Sequence, residues 1–391
     1  MLFIRHCPAC GTDLPDQGAK QCSRCKTRYC GPACQKKHWE DCGHDKLCRK
    51  IRKSGGAERY YADQQYKKAV AEAVAECAAA TQGQTCYICT EAVHCKTKEG
   101  LVRMCACRGT AGFAHVSCLA EQAKILVAEV EENNLGLAVL DERFRRWYTC
   151  SLCEQQYHGA VVCALSWACW KTYVGRPEAD IPQQLAMSVL GNGLASAGHH
   201  EDALSVREAE LSMRRRRGSP EVQILAVQNN LANTYQLQGR FDKSLHLRQE
   251  VYSGHLRLSG EEHGMTLAAA NNYAYSLLSL RRFDEAKSVL RRTVPVARHA
   301  LGESHLDTLR MRMNYAQTLY RDEGATLDDL REAVTMLEDT IRTARRVLGG
   351  EHPLTVDVGA CLRRARAALR AREAPPSGAQ EKLASSDDAP S

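Results

Sequence analysis

The chain has 391 residues, of which 44% are hydrophobic, and a formal net charge of +7. This is enough apolar material for two or three domains with ordinary cores, which excludes a chain disordered throughout. The positive excess is spread over KLCRKIRK (46–53), MRRRR (213–217) and scattered arginines, so no concentrated basic face for nucleic acid is expected. MRRRR reads as the solvated end of a helix.

Twenty cysteines are present; nineteen precede residue 170 and only Cys361 follows it. Such clustering means a disulfide framework or metal sites, and the redox compartment decides between them. The N-terminus, MLFIRHCPAC, reaches Cys7 with no room for a secretory signal. The longest apolar run, GAVVCALSWACW (159–170), falls short of the roughly 20 residues that span a bilayer. A soluble cytoplasmic or nuclear protein is expected, without a membrane segment and with its thiols holding metal.

Residues 7–48 contain two C-x2-C pairs, Cys7/Cys10 and Cys22/Cys25, each half of a tetrahedral zinc site. Cys30/Cys34 and His44/Cys48 are spaced i, i+4, as suits one face of a short helix. Eight ligands make two sites. Closed four-ligand sites are structural, and a segment of this length cannot bury enough apolar surface to fold without them.

With Tyr29 before Cys30, Gln35 after Cys34, and Trp39, the segment resembles a MYND-type zinc finger over its whole length, assigned to residues 1–52. The resemblance implies interleaved sites: Cys7, Cys10, Cys30 and Cys34 around one zinc, and Cys22, Cys25, His44 and Cys48 around the other. It also implies a dock for short proline-containing peptides. An insertion before the last pair leaves Cys42 competing with His44; His44 keeps the H-x3-C interval and is preferred. Some MYND fingers accompany a SET methyltransferase domain, of which no stretch is visible here. Residues 53–84 read as a glycine break followed by a linking helix.

The second cluster, assigned to 85–160, is Cys86/Cys89, Cys105/Cys107, His115/Cys118 and Cys150/Cys153. Its order of four cysteines, one histidine and three cysteines occurs in both RING-CH and PHD fingers. The C-x-C second pair, seven residues before the histidine, resembles RING-CH more than PHD. That resemblance implies a cross-brace with Cys86, Cys89, His115 and Cys118 on one zinc and Cys105, Cys107, Cys150 and Cys153 on the other, about four zinc ions per chain in all. No ligand is left as a free nucleophile, and no catalytic residue is expected. The resemblance further implies a partner, a ubiquitin-conjugating enzyme, docking on the apolar residue inside the first pair, here Ile88. Two positions depart from the family: Gln122 stands where tryptophan is frequent, and Glu154 follows the last ligand, where active ligases often carry a basic or hydrogen-bonding residue. The stretch LAEQAKILVAEVEENN, between the sixth and seventh ligands, has helical periodicity, and a helix there is able to cover the dock. Cys77, Cys95, Cys163, Cys169 and Cys361 lack partner spacing and read as free thiols. Residues 161–184 read as a connector.

From 185 to 372 the chain repeats with a period close to 42: NNLANTYQLQGRFDKSL from Asn229, NNYAYSLLSLRRFDEAK from Asn271, a third copy from Met313 with about five extra residues, and a weaker copy from Val189. Gly260, Gly302 and Gly349 are suited to end helices, and Thr266, Thr308 and Thr355 lie near the next helix starts. Each unit is therefore expected to be two antiparallel helices that bury their faces against neighbouring units. The recurring small and aromatic positions resemble tetratricopeptide repeats of the long, kinesin-light-chain-like kind, with HEAT repeats the alternative. Asn230, Asn272 and Asn314, one repeat apart, suit either a ladder gripping an extended peptide or helix–helix packing. The tail, 373–391, has a disordered composition. The expected architecture is mostly α: two small zinc-stabilised cross-brace fingers followed by a helical solenoid. Its expected work is protein recognition, either as a RING-type ubiquitin ligase acting by proximity, with clients held by the solenoid, or as a non-catalytic scaffold.

Overall fold

The computed structural model describes residues 7–12, 14 and 18–374. Fifteen α-helices and one two-stranded ribbon occur among them, in two compact units divided between Ser219 and Pro220. The predominance of helix agrees with the sequence reading. The tail from residue 375 onward lies outside the described residues.

The first unit begins with a ribbon, β1 (Lys20–Gln21) and β2 (Arg28–Tyr29), pairing Lys20 with Tyr29 and Gln21 with Arg28. Helix α1 (Pro32–Glu40) opens on a proline, which fits a first turn because its missing N–H would have no helical partner there. Gly43, at φ 71°, reverses the chain into α2 (His44–Lys53), whose last turn carries Lys50, Arg52 and Lys53, cations suited to a helix C-terminus. Gly55 and Gly56 then take positive φ, and α3 (Ala57–Cys77) follows. Its Ala57 packs into the first finger's core, while Ala62, Ala69, Val70, Ala73 and Cys77 join the unit's main core.

Helix α4 (Val116–Asn133) realises the periodicity between the sixth and seventh ligands, and α5 (Leu137–Phe144) follows it. Both lie near α6 (Gly159–Tyr173): α4 packs against α5 and α6. The run GAVVCALSWACW, noted in the sequence only as too short for a membrane, forms most of α6. Every residue from Val161 to Trp170 is buried, so the helix is apolar all round because it is surrounded. It packs against α3, α4 and α7 (Ile181–Ser196), the last closely enough that a Cβ on Gly193 would strike the Ser166 side chain. Helix α8 (His200–Arg216) completes this core with Ala203 and Val206. The first helix pair of the repeat region thus shares the core of the finger-bearing unit. Among the described residues no helix is long and apolar enough to cross a membrane.

Among its described residues the second unit has seven helices: α9 (Glu221–Leu237), α10 (Phe241–Ser259), α11 (Gly264–Ser279), α12 (Phe283–Ala300), α13 (Leu306–Tyr320), α14 (Leu327–Leu348) and α15 (Pro353–Glu373). Consecutive helices pack together, and α11 with α13 and α13 with α15 pack as well, which is the nearest-neighbour pattern of a repeat solenoid. Gly260, Gly302 and Gly349 stop helices as expected, at φ 79°, 93° and 86°. The threonines are not the caps. Instead the imidazole Nδ1 of His263, His305 and His352 accepts the N–H two residues on, at 3.2 Å in each case, while Thr266, Thr308 and Thr355 are buried inside the first turn.

Candidate metal centres

The C-x2-C pairs share one backbone device. In each, the N–H of the residue after the second cysteine donates to the first cysteine's carbonyl: Gly11 to Cys7 at 2.8 Å, Lys26 to Cys22 at 2.9 Å, Thr90 to Cys86 at 2.8 Å and Glu154 to Cys150 at 3.0 Å. Closing this loop drives that residue to positive φ, 77°, 63°, 64° and 56° respectively. Three of the four are not glycine, and that strain is tolerable only where something else fixes the loop. The knuckle also aims amide donors at sulfur: Ile88 N–H lies 3.4 Å from Cys86 Sγ and Leu152 N–H 3.4 Å from Cys150 Sγ.

Tertiary structure gathers these knuckles into four groups whose ligand atoms lie within 4.8 Å of one another: Cys7, Cys10, Cys30, Cys34; Cys22, Cys25, His44, Cys48; Cys86, Cys89, His115, Cys118; and Cys105, Cys107, Cys150, Cys153. The start of α1 brings Cys34 to the first group, α2 brings His44 and Cys48 to the second, and the start of α4 brings Cys118 to the third. Cys42 is exposed and belongs to no group. The ladder between Val102 and Ala114 folds Cys105 and Cys107 back past His115, and Gly112 lies so near Cys107 that a side chain would collide with the thiols.

The groups fit a metal ion. Sulfur–sulfur separations of 3.6 Å (Cys10–Cys30), 3.8 Å (Cys22–Cys48) and 3.7 Å (Cys107–Cys150) are close to the ~3.8 Å that tetrahedral Zn–S bonds of about 2.3 Å require. His44 turns Nε2 to Cys25 at 3.3 Å; His115 turns Nδ1 to Cys89 at 3.3 Å and Cys118 at 3.6 Å, its Nε2 facing the Ala92 carbonyl. Burial lowers the pKa of both imidazoles, favouring the neutral form that ligates. The thiols divide within each group. Thr12 pulls Cys10 down to about 6 while Cys30 and Cys10 push Cys34 up to about 12. Burial and then Cys22 and Cys25 push Cys48 up to about 12, and burial pushes Cys105 up to about 11. Cys86 falls below the ordinary thiol range: against desolvation, its largest influence, act amide donors from Cys89, His115 and Ile88. Thiolates this close repel one another, so the three or four thiols of a group cannot all ionise without a cation between them.

Around the second finger, Ile88 and Leu152 occupy the same place in two knuckles and are 38% and 50% exposed. Tyr87 and Ser151 join those knuckles by a 3.0 Å hydroxyl contact. The inserted α4 and α5 leave Ile88 open. Glu154 is held by Arg146 in a two-pronged ion pair of 3.0 and 2.9 Å, and the same guanidinium donates to the Cys150 carbonyl at 3.3 Å. The hydrogen bonds from Arg146, and then its charge, lower the Glu154 pKa. Gln122 is half-buried on α4.

Asparagines meet across successive repeats one position off the expected register. Asn272 Nδ2 donates to Asn229 Oδ1 at 3.2 Å and Asn314 Nδ2 to Asn271 Oδ1 at 2.8 Å, so these amides join successive repeats; Asn230 is half-buried beside them. The exposed positions of the same helices lie three residues on, at Asn233 and Tyr275.

With this geometry in place, comparison with protein families matches a RING-variant domain to residues 86–134 and tetratricopeptide repeats to 223–298 and 325–354. The chain carries a RING-variant domain and tetratricopeptide repeats. The RING-variant match ends before Cys150 and Cys153, which the fold, not the matched pattern, brings to Cys105 and Cys107. No curated protein matches the sequence. Among solved structures, BtubC (BKLC) from P. vanneervenii is 15% identical, with 70% of this chain and 99% of that one covered and a TM-score of 0.40. A Podosopora anserina putative kinesin light chain with nearly identical TPR-like repeats is 17% identical, with 60% and 98% covered and a TM-score of 0.40.

Proposed function

We propose that the protein is a zinc-dependent recognition adaptor in which the MYND-type and RING-CH-like fingers hold two Zn2+ each, the RING-like finger engages a ubiquitin-conjugating enzyme, and the repeats bind the client. The four donor groups support the zinc assignment, since three or four thiolates with at most one imidazole are the ligand sets of closed structural sites. The observation that carries the ligase reading is the exposed pair Ile88 and Leu152 on tied knuckles, apolar side chains left in water where a partner's apolar residues can cover them. Such a ligase acts by proximity, holding donor and client together with no covalent step of its own.

One observation favours the second reading, a scaffold without ubiquitin transfer: the Glu154 carboxylate and the Arg146 guanidinium spend their hydrogen bonds on each other. Reconstitution with a broad panel of conjugating enzymes separates the two. The ligase reading expects self-ubiquitination that falls at least about ten-fold in Ile88→Ala, the loss that marks a central interface residue. Absence of chains with every enzyme of the panel, alongside four bound zinc ions, establishes the scaffold instead.

A further inference from the structure

In the second unit a notch opens between α10 and α12, with the start of α11 as its floor. Its cavity of about 80 Å³ is lined by Tyr252 and Leu256 of α10, Glu261 of the turn that follows, Thr266 of α11, and Arg292 and Val296 of α12. That is well above the roughly 10–15 Å³ that a single water needs. Thr266 is 2% exposed, and its hydroxyl has no hydrogen-bond partner among the described residues. An unpaired buried hydroxyl is costly, so the floor of the notch calls for a polar group.

The next repeat shows how the same carboxylate is held elsewhere. Glu303, one residue past the stop at Gly302, is paired with Arg298 and, at 3.2 Å, with Arg312. In the register set by the glycine stops, Glu261 is the counterpart of Glu303, but Leu256 stands in the place of Arg298 and Ala270 in that of Arg312. Glu261 is therefore left with no ion pair among the described residues. Across the notch, Arg292 Nη2 donates to the Tyr252 hydroxyl at 2.7 Å, a neutral partner, and the guanidinium has no carboxylate among the described residues. A carboxylate and a guanidinium thus face one cavity without pairing, above a hydroxyl able to donate or accept. At the rim, Leu256 and Met265, the residue before Thr266, are 37% and 47% exposed, apolar surface that the body of a protein chain can cover.

We propose that this notch is the receptor for the carboxamide of a glutamine or asparagine side chain on a partner protein. The group has its donor and its acceptor on separate atoms: the NH2 donates to Glu261, the carbonyl accepts from Arg292, and either end can pair the Thr266 hydroxyl. An incoming carboxylate would be repelled by Glu261, and an incoming ammonium or guanidinium by Arg292. The carboxamide suits both charges at once. The proposal rests on the reading that the repeats bind the client, and it names one side chain by which the client is held.

The test uses the full zinc-loaded chain and four blocked amino acids, the N-acetyl methylamides of glutamine, glutamate, lysine and methionine, followed by saturation-transfer NMR. The glutamine compound is expected to bind saturably and more tightly than the other three. Leu256→Arg, which puts a guanidinium beside Glu261 as Arg298 does beside Glu303, is expected to fill the notch and abolish that binding, with a Tm equal to or above the parent's. Glu261→Ala is expected to weaken it about ten-fold or more, the scale of a charge-assisted hydrogen bond, and Thr266→Val by less. Glu262→Ala, which removes the neighbouring exposed carboxylate, is expected to leave it unchanged. Tighter binding of the glutamate or lysine compound, equal binding of the methionine compound, undiminished binding by Glu261→Ala, or no binding overturns the proposal. In a random nonapeptide library, ligands carrying glutamine or asparagine that are lost in Leu256→Arg support it. Ligands held equally by parent and Leu256→Arg leave peptide binding standing and overturn the notch; a library that yields none overturns client binding by the repeats, and the partner assignment with it.

Discussion

At the scale of single residues, a C-x2-C pair is a nearly self-sufficient instruction. Three peptide units between two thiols leave one compact loop, and the chain closes it in the same way at Cys7, Cys22, Cys86 and Cys150, whatever residue must take the positive φ. Glu154 is such a residue, which ties its position to the knuckle and its carboxylate to Arg146. Between Cys42 and His44, both within reach of Cys48 along the chain, spacing favoured His44 through its H-x3-C interval. Space decides it: His44 begins α2 with its ring against Cys25, and Cys42 is left in the turn before it. Elemental analysis of the purified chain is therefore expected to give about four zinc ions, from sixteen donors in groups of four. His44→Ala is expected to lose about one of them and Cys42→Ala none; loss from Cys42→Ala with retention in His44→Ala contradicts the grouping.

Helices are read from periodicity, and periodicity reports which residues face a core but not which core. The glycine stops and the repeat spacing placed the helices of the second unit, whereas α6 carries no stripe to read, since all its faces are buried. The asparagines show the same limit within one helix. Spacing aligned Asn272 and Asn314 one repeat apart, but packing joins each to the asparagine one position off that alignment, Asn314 to Asn271 and Asn272 to Asn229. Asn314→Ala strands the buried Asn271 carbonyl oxygen, so it is expected to cost about 1–3 kcal/mol of stability. In denaturant titrations the double variant Asn271→Ala/Asn314→Ala is expected to cost less than the sum of the singles, because no orphan is then left. Strict additivity, with peptide binding lost in the singles, would return these residues to a ligand groove.

At the scale of the whole molecule, all four donor groups belong to the first unit, and none was found among the described residues of the second. The first finger has a small core, with Cys7, Cys22, Cys25 and Cys48 supplying much of its buried surface, so metal binding and folding are coupled there. The second unit is held by leucine and alanine packing and by ladders between repeats such as Lys287 on Asp329 at 2.6 Å. Chelation under reducing conditions is accordingly expected to unfold the fingers while a substantial helical circular-dichroism signal persists, and limited proteolysis is expected to leave a resistant fragment starting near residue 220. Simultaneous loss of all helical signal on chelation would show that the second unit depends on metal as well.

The amino-acid order alone determined the donor pairs, the helix stops and the repeat period, because each is a constraint between residues a few positions apart. Long-range packing decided the rest: which pair joins which centre, that α6 is the hub of the first unit, which face of each repeat meets water, and that Glu261 lacks the arginines that hold Glu303. Those outcomes depend on which distant surfaces exclude water from one another, and no local spacing encodes that.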